Sequence, residues 1–98
     1  MKRTALYQNF PNPFNPETWI PFSLSEHRRV NIRIYSSRGH LVRTLNLGQK
    51  PAGEYLNREQ AAHWDGRNDN GELAASGVYF YTMEAGELMG LRKMVVMR

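Results

Sequence analysis

Apolar and polar residues alternate with period two along most of this chain, and that alternation predicts strands. Ile20, Phe22 and Leu24 alternate with Trp19, Pro21 and Ser23, as in a strand with one face buried. Pro21 has no N–H to donate to a ladder, which places this strand at a sheet edge on that side. Val30, Ile32 and Ile34 alternate with Asn31, Arg33 and Tyr35, the cleanest strand in the chain. Ser36-Ser37-Arg38-Gly39 reads as a hairpin turn, with Gly39 free to take positive φ. Leu41 to Leu47 returns as its partner, and Gly48 to Gly53 reads as a loop.

The second half is less regular. In the stretch Glu54 to His63, Arg58-Glu59-Gln60-Ala61-Ala62 suits a helical turn by propensity, yet a strand ending in Trp64 fits the neighbouring pattern better. Asp65 to Gly71 is dense in turn formers and reads as a loop. A short segment follows at Glu72–Ala75, and Ser76-Gly77 punctuates again. Val78 to Met83 is apolar or aromatic on both faces, which predicts a central strand covered on two sides. Ala85-Gly86 turns the chain, and Leu88 to Met97 closes as the last strand. The inner face of these last two strands is ambiguous. About seven short strands with frequent turn signals predict an all-β, antiparallel sandwich. No βαβ alternation and no helix of ordinary length is present.

Ahead of these strands, Gln8-Asn9-Phe10-Pro11-Asn12-Pro13-Phe14-Asn15-Pro16 holds three of the five prolines. Each proline fixes its own φ and pushes the preceding residue out of the helical region. The segment is therefore an extended lead-in. Burying each phenylalanine is worth about 1.5–3 kcal/mol, so Phe10 and Phe14 are expected to dock it against the domain. A disordered linker is the weaker reading, since linkers seldom carry spaced aromatics.

The chain has 98 residues, of which 41% are hydrophobic and 11% aromatic, enough for one domain with a real core. Residues 1–5 are read as a start or linker and 6–98 as a single domain, with Met1 an added start. There is no cysteine, which excludes disulfides, thiolate zinc sites and thiol nucleophiles. No apolar run approaches a membrane span. Met1-Lys2-Arg3-Thr4-Ala5-Leu6 lacks the apolar region of a signal peptide, so a domain working outside the cell is expected to be a fragment of a larger exported protein.

The formal charge is +4 and the pI about 9.8. Arg28, Arg29, Arg33, Arg38 and Arg43 fall in a stretch without acidic residues, which could attract nucleic acid or an anionic glycan surface. Arginines on the wet side of a strand pair, guarding an edge, account for the pattern better. No nucleic-acid partner is expected. His27, His40 and His63 have no metal-ligand spacing. Asp65, Asn68, Asp69 and Asn70 fail the EF-hand pattern, because Asn70 and Ser76 would occupy its glycine and glutamate positions. An Asx-rich hairpin loop is expected there. Nothing pairs two carboxylates in a cleft, and no nucleophile or phosphate-loop motif is found. An isopeptide bond would need a buried lysine beside an asparagine and an acid, with Lys93 the one candidate. No catalysis and no cofactor is expected. Trp19, Tyr35, Tyr55, Trp64, Tyr79 and Tyr81 could make a glycan platform, but a small core can absorb that many rings.

An opening segment and six further motifs, in order, carry a resemblance. Leu6 to Thr18 resembles the opening of the C-terminal sorting domains of the type IX secretion system and of the FlgD-like immunoglobulin-type domains. The likeness continues through Ile34-Tyr35 with Gly39, Val42-Arg43-Thr44-Leu45, Pro51-Ala52-Gly53, Trp64-Asp65-Gly66-Arg67, Ala75 to Tyr81, and Arg92-Lys93-Met94-Val95. The stretch from Gly53 to Trp64 departs from it by extra length. The resemblance implies an immunoglobulin-like (fibronectin III-like) sandwich that is no enzyme. It implies a module of a larger exported protein, passing through the periplasm to the cell surface or beyond. The implied partners are an outer-membrane translocon, sortase-like components or neighbouring domains of the parent protein. Implied recognition residues are Asn12, Pro13, Phe14, Asn15 and Pro16 with Lys93, Met94, Val95 and Val96. Implied structural anchors are Phe10, Phe14, Trp64, Asp65, Gly66, Gly77 and Tyr79. A FlgD-like structural or adhesive module is the alternative, and a glycan-binding sandwich the second.

Overall fold

The computed structural model describes residues 3–98, so the reading of Met1 lies outside the described residues. Among them are nine strands and no helix: β1 (Ala5–Leu6), β2 (Thr18–Ile20), β3 (Phe22–Leu24), β4 (Arg28–Ser36), β5 (Leu41–Lys50), β6 (Gly53–Tyr55), β7 (Ala62–Trp64), β8 (Gly77–Ala85) and β9 (Glu87–Val96). One layer is an antiparallel sheet in the order β5-β4-β8-β9. The other is divided into β1-β3-β6 and β2-β7, both antiparallel. The result is an immunoglobulin-like β-sandwich, as expected, with nine strands rather than seven.

The alternation builds the core. Val30, Ile32 and Ile34 of β4 and Tyr81 and Met83 of β8 are fully buried, and they meet Ile20, Phe22, Leu24 and Trp64 from the divided layer. On β9, Met94 and Val96 are buried and Met89 packs half-buried against the core, which settles the inner face of the last strand. On β8 the inward set is Tyr79, Tyr81, Met83 and Ala85.

Four expectations are corrected. The stretch from Trp19 to Leu24 is two strands: at Pro21 the chain leaves β7 and joins β1 and β6. β3 is thus the middle of its sheet, not an edge, and the missing N–H of Pro21 falls at the switch between ladders. Second, Gly48 does not end β5. Val30 pairs with Gly48 and Asn31 with Asn46, so Leu47 is an extra residue; Gly48, at φ +74°, absorbs the bulge and pairing continues to Lys50. Third, β8 lies between two strands but has one covered face; the other face holds Val78, Phe80, Thr82 and Glu84 at partial or full exposure. Finally, the stretch before Trp64 is neither wholly strand nor helix. The amides of Gln60 and Ala61 both bond the Asn57 carbonyl in a single turn, and three strand residues follow.

Candidate functional site: the lead-in clasped to the last strand

The lead-in docks by its own residues. Phe14 is 2% exposed, with its ring 5.4 Å from that of Trp64 in an edge-to-face arrangement. Phe10 is half-buried, stacks on Trp19 at 6.3 Å and exchanges two backbone hydrogen bonds with it. Asn9 is buried, and its side chain donates to the Pro11 carbonyl and to the Thr18 hydroxyl. Its backbone N–H donates to the hydroxyl of Tyr81 at 2.8 Å, which in turn donates to the Tyr7 carbonyl at 2.7 Å. Burial pushes the Tyr81 phenol up to about 12, against the opposing pull of the Asn9 amide and the Arg92 charge. Pro11, Pro13 and Pro16 each follow a cis peptide bond.

The same lead-in closes the outer edge of β9. The Val95 N–H donates to Asn12 Oδ1 at 2.9 Å, and Phe14 N–H donates to the Val95 carbonyl at 3.1 Å. The Met97 N–H donates to the Phe14 carbonyl at 3.0 Å, and Gln8 Nε2 donates to the Lys93 carbonyl at 2.7 Å. Phe14 and Val96 form a parallel bridge. Two segments at opposite ends of the sequence are one structural unit.

Pro16 runs on to the loop after β7. Gly66 takes φ +78°, and a Cβ there would sit 2.6 Å from the Pro16 carbonyl oxygen, so only glycine admits this approach. The guanidinium of Arg98 donates to the carbonyls of Gly66 and Ala74. Asp65 Oδ1 accepts from Arg43 Nη1 at 3.1 Å and from the Arg67 amide at 3.0 Å. Trp64 Nε1 donates to the Arg67 carbonyl, satisfying the one polar atom of a fully buried ring. Tyr79 packs edge-to-face on Trp64 at 6.0 Å and donates its hydroxyl to the Ala75 carbonyl, the tyrosine corner of Greek-key sandwiches. Gly77 is exposed at the start of β8.

Of the recognition residues implied by the resemblance, Asn12, Pro13, Asn15, Pro16 and Lys93 are exposed and Val95 half-buried. Phe14, Met94 and Val96 belong to the core. Their side chains are packed inside the sandwich. Gln8 and Arg98 were missed. Neither stands in a periodic pattern, and both act through backbone carbonyls distant in sequence.

The other candidates disperse. Arg43 is held by Asp65 and Asp69, Arg33 by Glu84 and Arg28 by Glu26, while Arg29 and Arg38 lie at opposite ends of the β4–β5 hairpin. No continuous basic face forms from the five arginines. His27 and His40 are exposed in separate turns, and His63 Nε2 lies 2.7 Å from Glu17 Oε1. The Asp65–Gly71 loop is an Asx-type turn: Asn68 Oδ1 accepts from the amides of Asn70 and Glu72, and Asp69 Oδ1 from that of Thr44. Lys93 is exposed, so it lacks the burial an isopeptide bond requires. The six rings of the glycan platform share no face. Trp64, Tyr79 and Tyr81 are in the core, Trp19 is covered by Arg58 at 4.4 Å, and Tyr55 stacks on buried Phe22 at 4.7 Å.

A family model for the FlgD Ig-like domain matches residues 20–87, more than half of the chain. The chain belongs to the FlgD Ig-like domain family. No curated protein matches it. Among solved structures, dimeric latent PorU from Porphyromonas gingivalis is similar with a TM-score of 0.78 at 18% identity, covering 98% of this chain and 9% of that one. FLGD from P. aeruginosa is similar with a TM-score of 0.58 at 26% identity, covering 74% of this chain and 56% of that one. PorZ, a surface component of the type IX secretion system of P. gingivalis, is similar with a TM-score of 0.56 at 22% identity, covering 95% and 11%. The chain thus spans about a tenth of PorU and PorZ and just over half of FLGD. The span matched by the FlgD Ig-like model stops short of the clasp at both ends.

Proposed function

We propose that this FlgD Ig-like domain is a non-catalytic sorting domain, directing a larger exported protein through an outer-membrane secretion system to the cell surface. The observation that carries the reading is the clasp. The two segments implied by the sorting-domain resemblance, Asn12 to Pro16 and Lys93 to Val96, lie against each other and form one unit. The likeness in fold to PorU extends over 98% of the chain and so takes in the clasp, which the FlgD Ig-like match leaves out. A binding role also agrees with the carboxylates, since Glu17, Glu26, Asp65, Asp69 and Glu84 are each taken by a cationic or imidazole partner.

On this reading the domain folds in the periplasm and presents a rigid surface to translocon or sortase-like components, without regard to the cargo upstream. The test is a fusion of all 98 residues behind a reporter, expressed in a host carrying a type IX system. Surface display of the reporter is expected. Retention of a folded fusion inside the outer membrane overturns the reading. A second reading, a FlgD-like structural or adhesive module, is favoured by the family match and by FLGD at 26% identity. The position of the stop codon in the full-length gene separates the two, because a sorting domain must be translated last.

A further inference from the structure

We infer that the partner in sorting reads the outer face of the four-stranded sheet around Lys93, not a strand edge, and offers that face an apolar protein surface bearing a carboxylate. The inference rests on the sorting reading and names the surface it would use. Strand addition needs a free row of N–H and C=O groups, and part of that row is already taken on both edges of this sheet. On β9, Lys93, Val95 and Met97 bond Gln8, Asn12 and Phe14 of the lead-in. On β5, the Val42 carbonyl accepts from the Asp69 amide, the Thr44 amide donates to Asp69 Oδ1, and the Gly48 amide turns to Asn46 Oδ1.

The outer face is open, and its part along β9 is rich in apolar side chains. Leu88 and Leu91 on β9 are 68% and 66% exposed, more than any other large hydrophobic side chain among the described residues. Leu91, Lys93 and Val95 alternate along the strand with Arg92 and the buried Met94 and Val96. Across the ladders Lys93 pairs with Phe80, and Phe80 with Tyr35. The face therefore has an ammonium set among aliphatic and aromatic neighbours. Its one acid on β8, Glu84, is already paired with Arg33 at 3.4 Å, and no carboxylate pairs with Lys93 among the described residues. Contiguous exposed apolar residues of this kind mark interaction sites. The unmatched positive charge at the centre sets the sign of what must cover it.

The experiment uses the 98-residue reporter fusion. The variants are Leu88→Ser with Leu91→Ser, Lys93→Glu, Lys93→Arg, and Leu56→Ser as an exposed site away from the four-stranded sheet, between β6 and β7. All should keep the wild-type melting midpoint, since none of these side chains is in the core. The leucine pair and Lys93→Glu should each cut surface display by about tenfold, in line with truncating the centre of an interface. Lys93→Arg and Leu56→Ser should leave it near wild type. Wild-type display by the folded leucine-pair variant overturns the inference and leaves the sorting reading intact. Loss with the leucine pair but not with Lys93→Glu overturns the carboxylate-bearing partner. Failure of the wild-type fusion to reach the surface overturns both.

Discussion

At Gly66, a φ of +78° and a Pro16 carbonyl oxygen 2.6 Å from a would-be Cβ leave room for hydrogen alone. Gly71 has a similar φ of +84° but nothing within 4 Å. Gly71→Ala should cost about 1–2 kcal/mol from the backbone alone, and Gly66→Ala clearly more. Urea unfolding of the two variants separates the conformational cost from the contact with Pro16. Tyr81 gives a second residue-level prediction, about pH. Its phenol titrates near 10 when unfolded and near 12 in the fold, so the fold favours the neutral form. That contribution is complete below about pH 10 and fades as pH rises from 10 towards 12. Tyr81→Phe should remove this slope, and it should cost about 1–3 kcal/mol at pH 7 by orphaning the buried Asn9 amide. Denaturation midpoints across that alkaline range, with phenolate absorbance, check both points.

At the level of elements, the lead-in behaves as a strap with one key. Phe14 reaches the core and Phe10 only its margin. Phe14→Ala should therefore cost about 3–5 kcal/mol and Phe10→Ala markedly less. Hydrogen exchange supplies the finer test: Phe14→Ala should expose the amides of Val95 and Met97, which bond the strap, before those of β4. If they stay protected, the strap is not held by Phe14. Bulges are the other device at this scale. Leu47 with Gly48, and Gly90 between the partners of Thr82 and Met83, each add one residue while the ladder continues. Such kinks let ten-residue strands at both rims of the sheet follow its twist.

For the whole molecule, the last residues are as structural as the first. Removing Lys93 to Arg98 takes Met94 and Val96 from the core and the Arg98 guanidinium from the Gly66 and Ala74 carbonyls. That truncation should abolish the cooperative unfolding transition and the near-ultraviolet circular dichroism. A loss of export on truncation would then report unfolding, so exposed substitutions are the sharper probe of recognition. The strap on β9 and the Asp65–Gly71 loop on β5 also cover part of each edge of the larger sheet, which hinders its pairing with other chains.

Local pattern decided what local physics could reach. Val30, Ile32 and Ile34 were legible because one face of β4 meets the core along its length, and Trp64, Gly66 and Tyr79 because they stand in motifs that carry the family resemblance. Val78 and Phe80 misled, since an apolar side chain on an open outer face looks the same in sequence as one covered from above. Pro21 and Gly48 misled in the same way: each breaks a ladder locally, and only the neighbouring strands decide whether the chain stops, switches sheets or bulges. The phenylalanines, prolines and closing strand were each visible by themselves. Their meeting was not, because Asn12 and Val95 stand 83 residues apart and a contact of that span leaves no period in the chain between them. Composition and alternation determined an all-strand body with an aromatic-anchored front end. Tertiary packing alone decided that this front end lies on the last strand, because backbone hydrogen bonds between distant segments depend on which faces the core has already claimed.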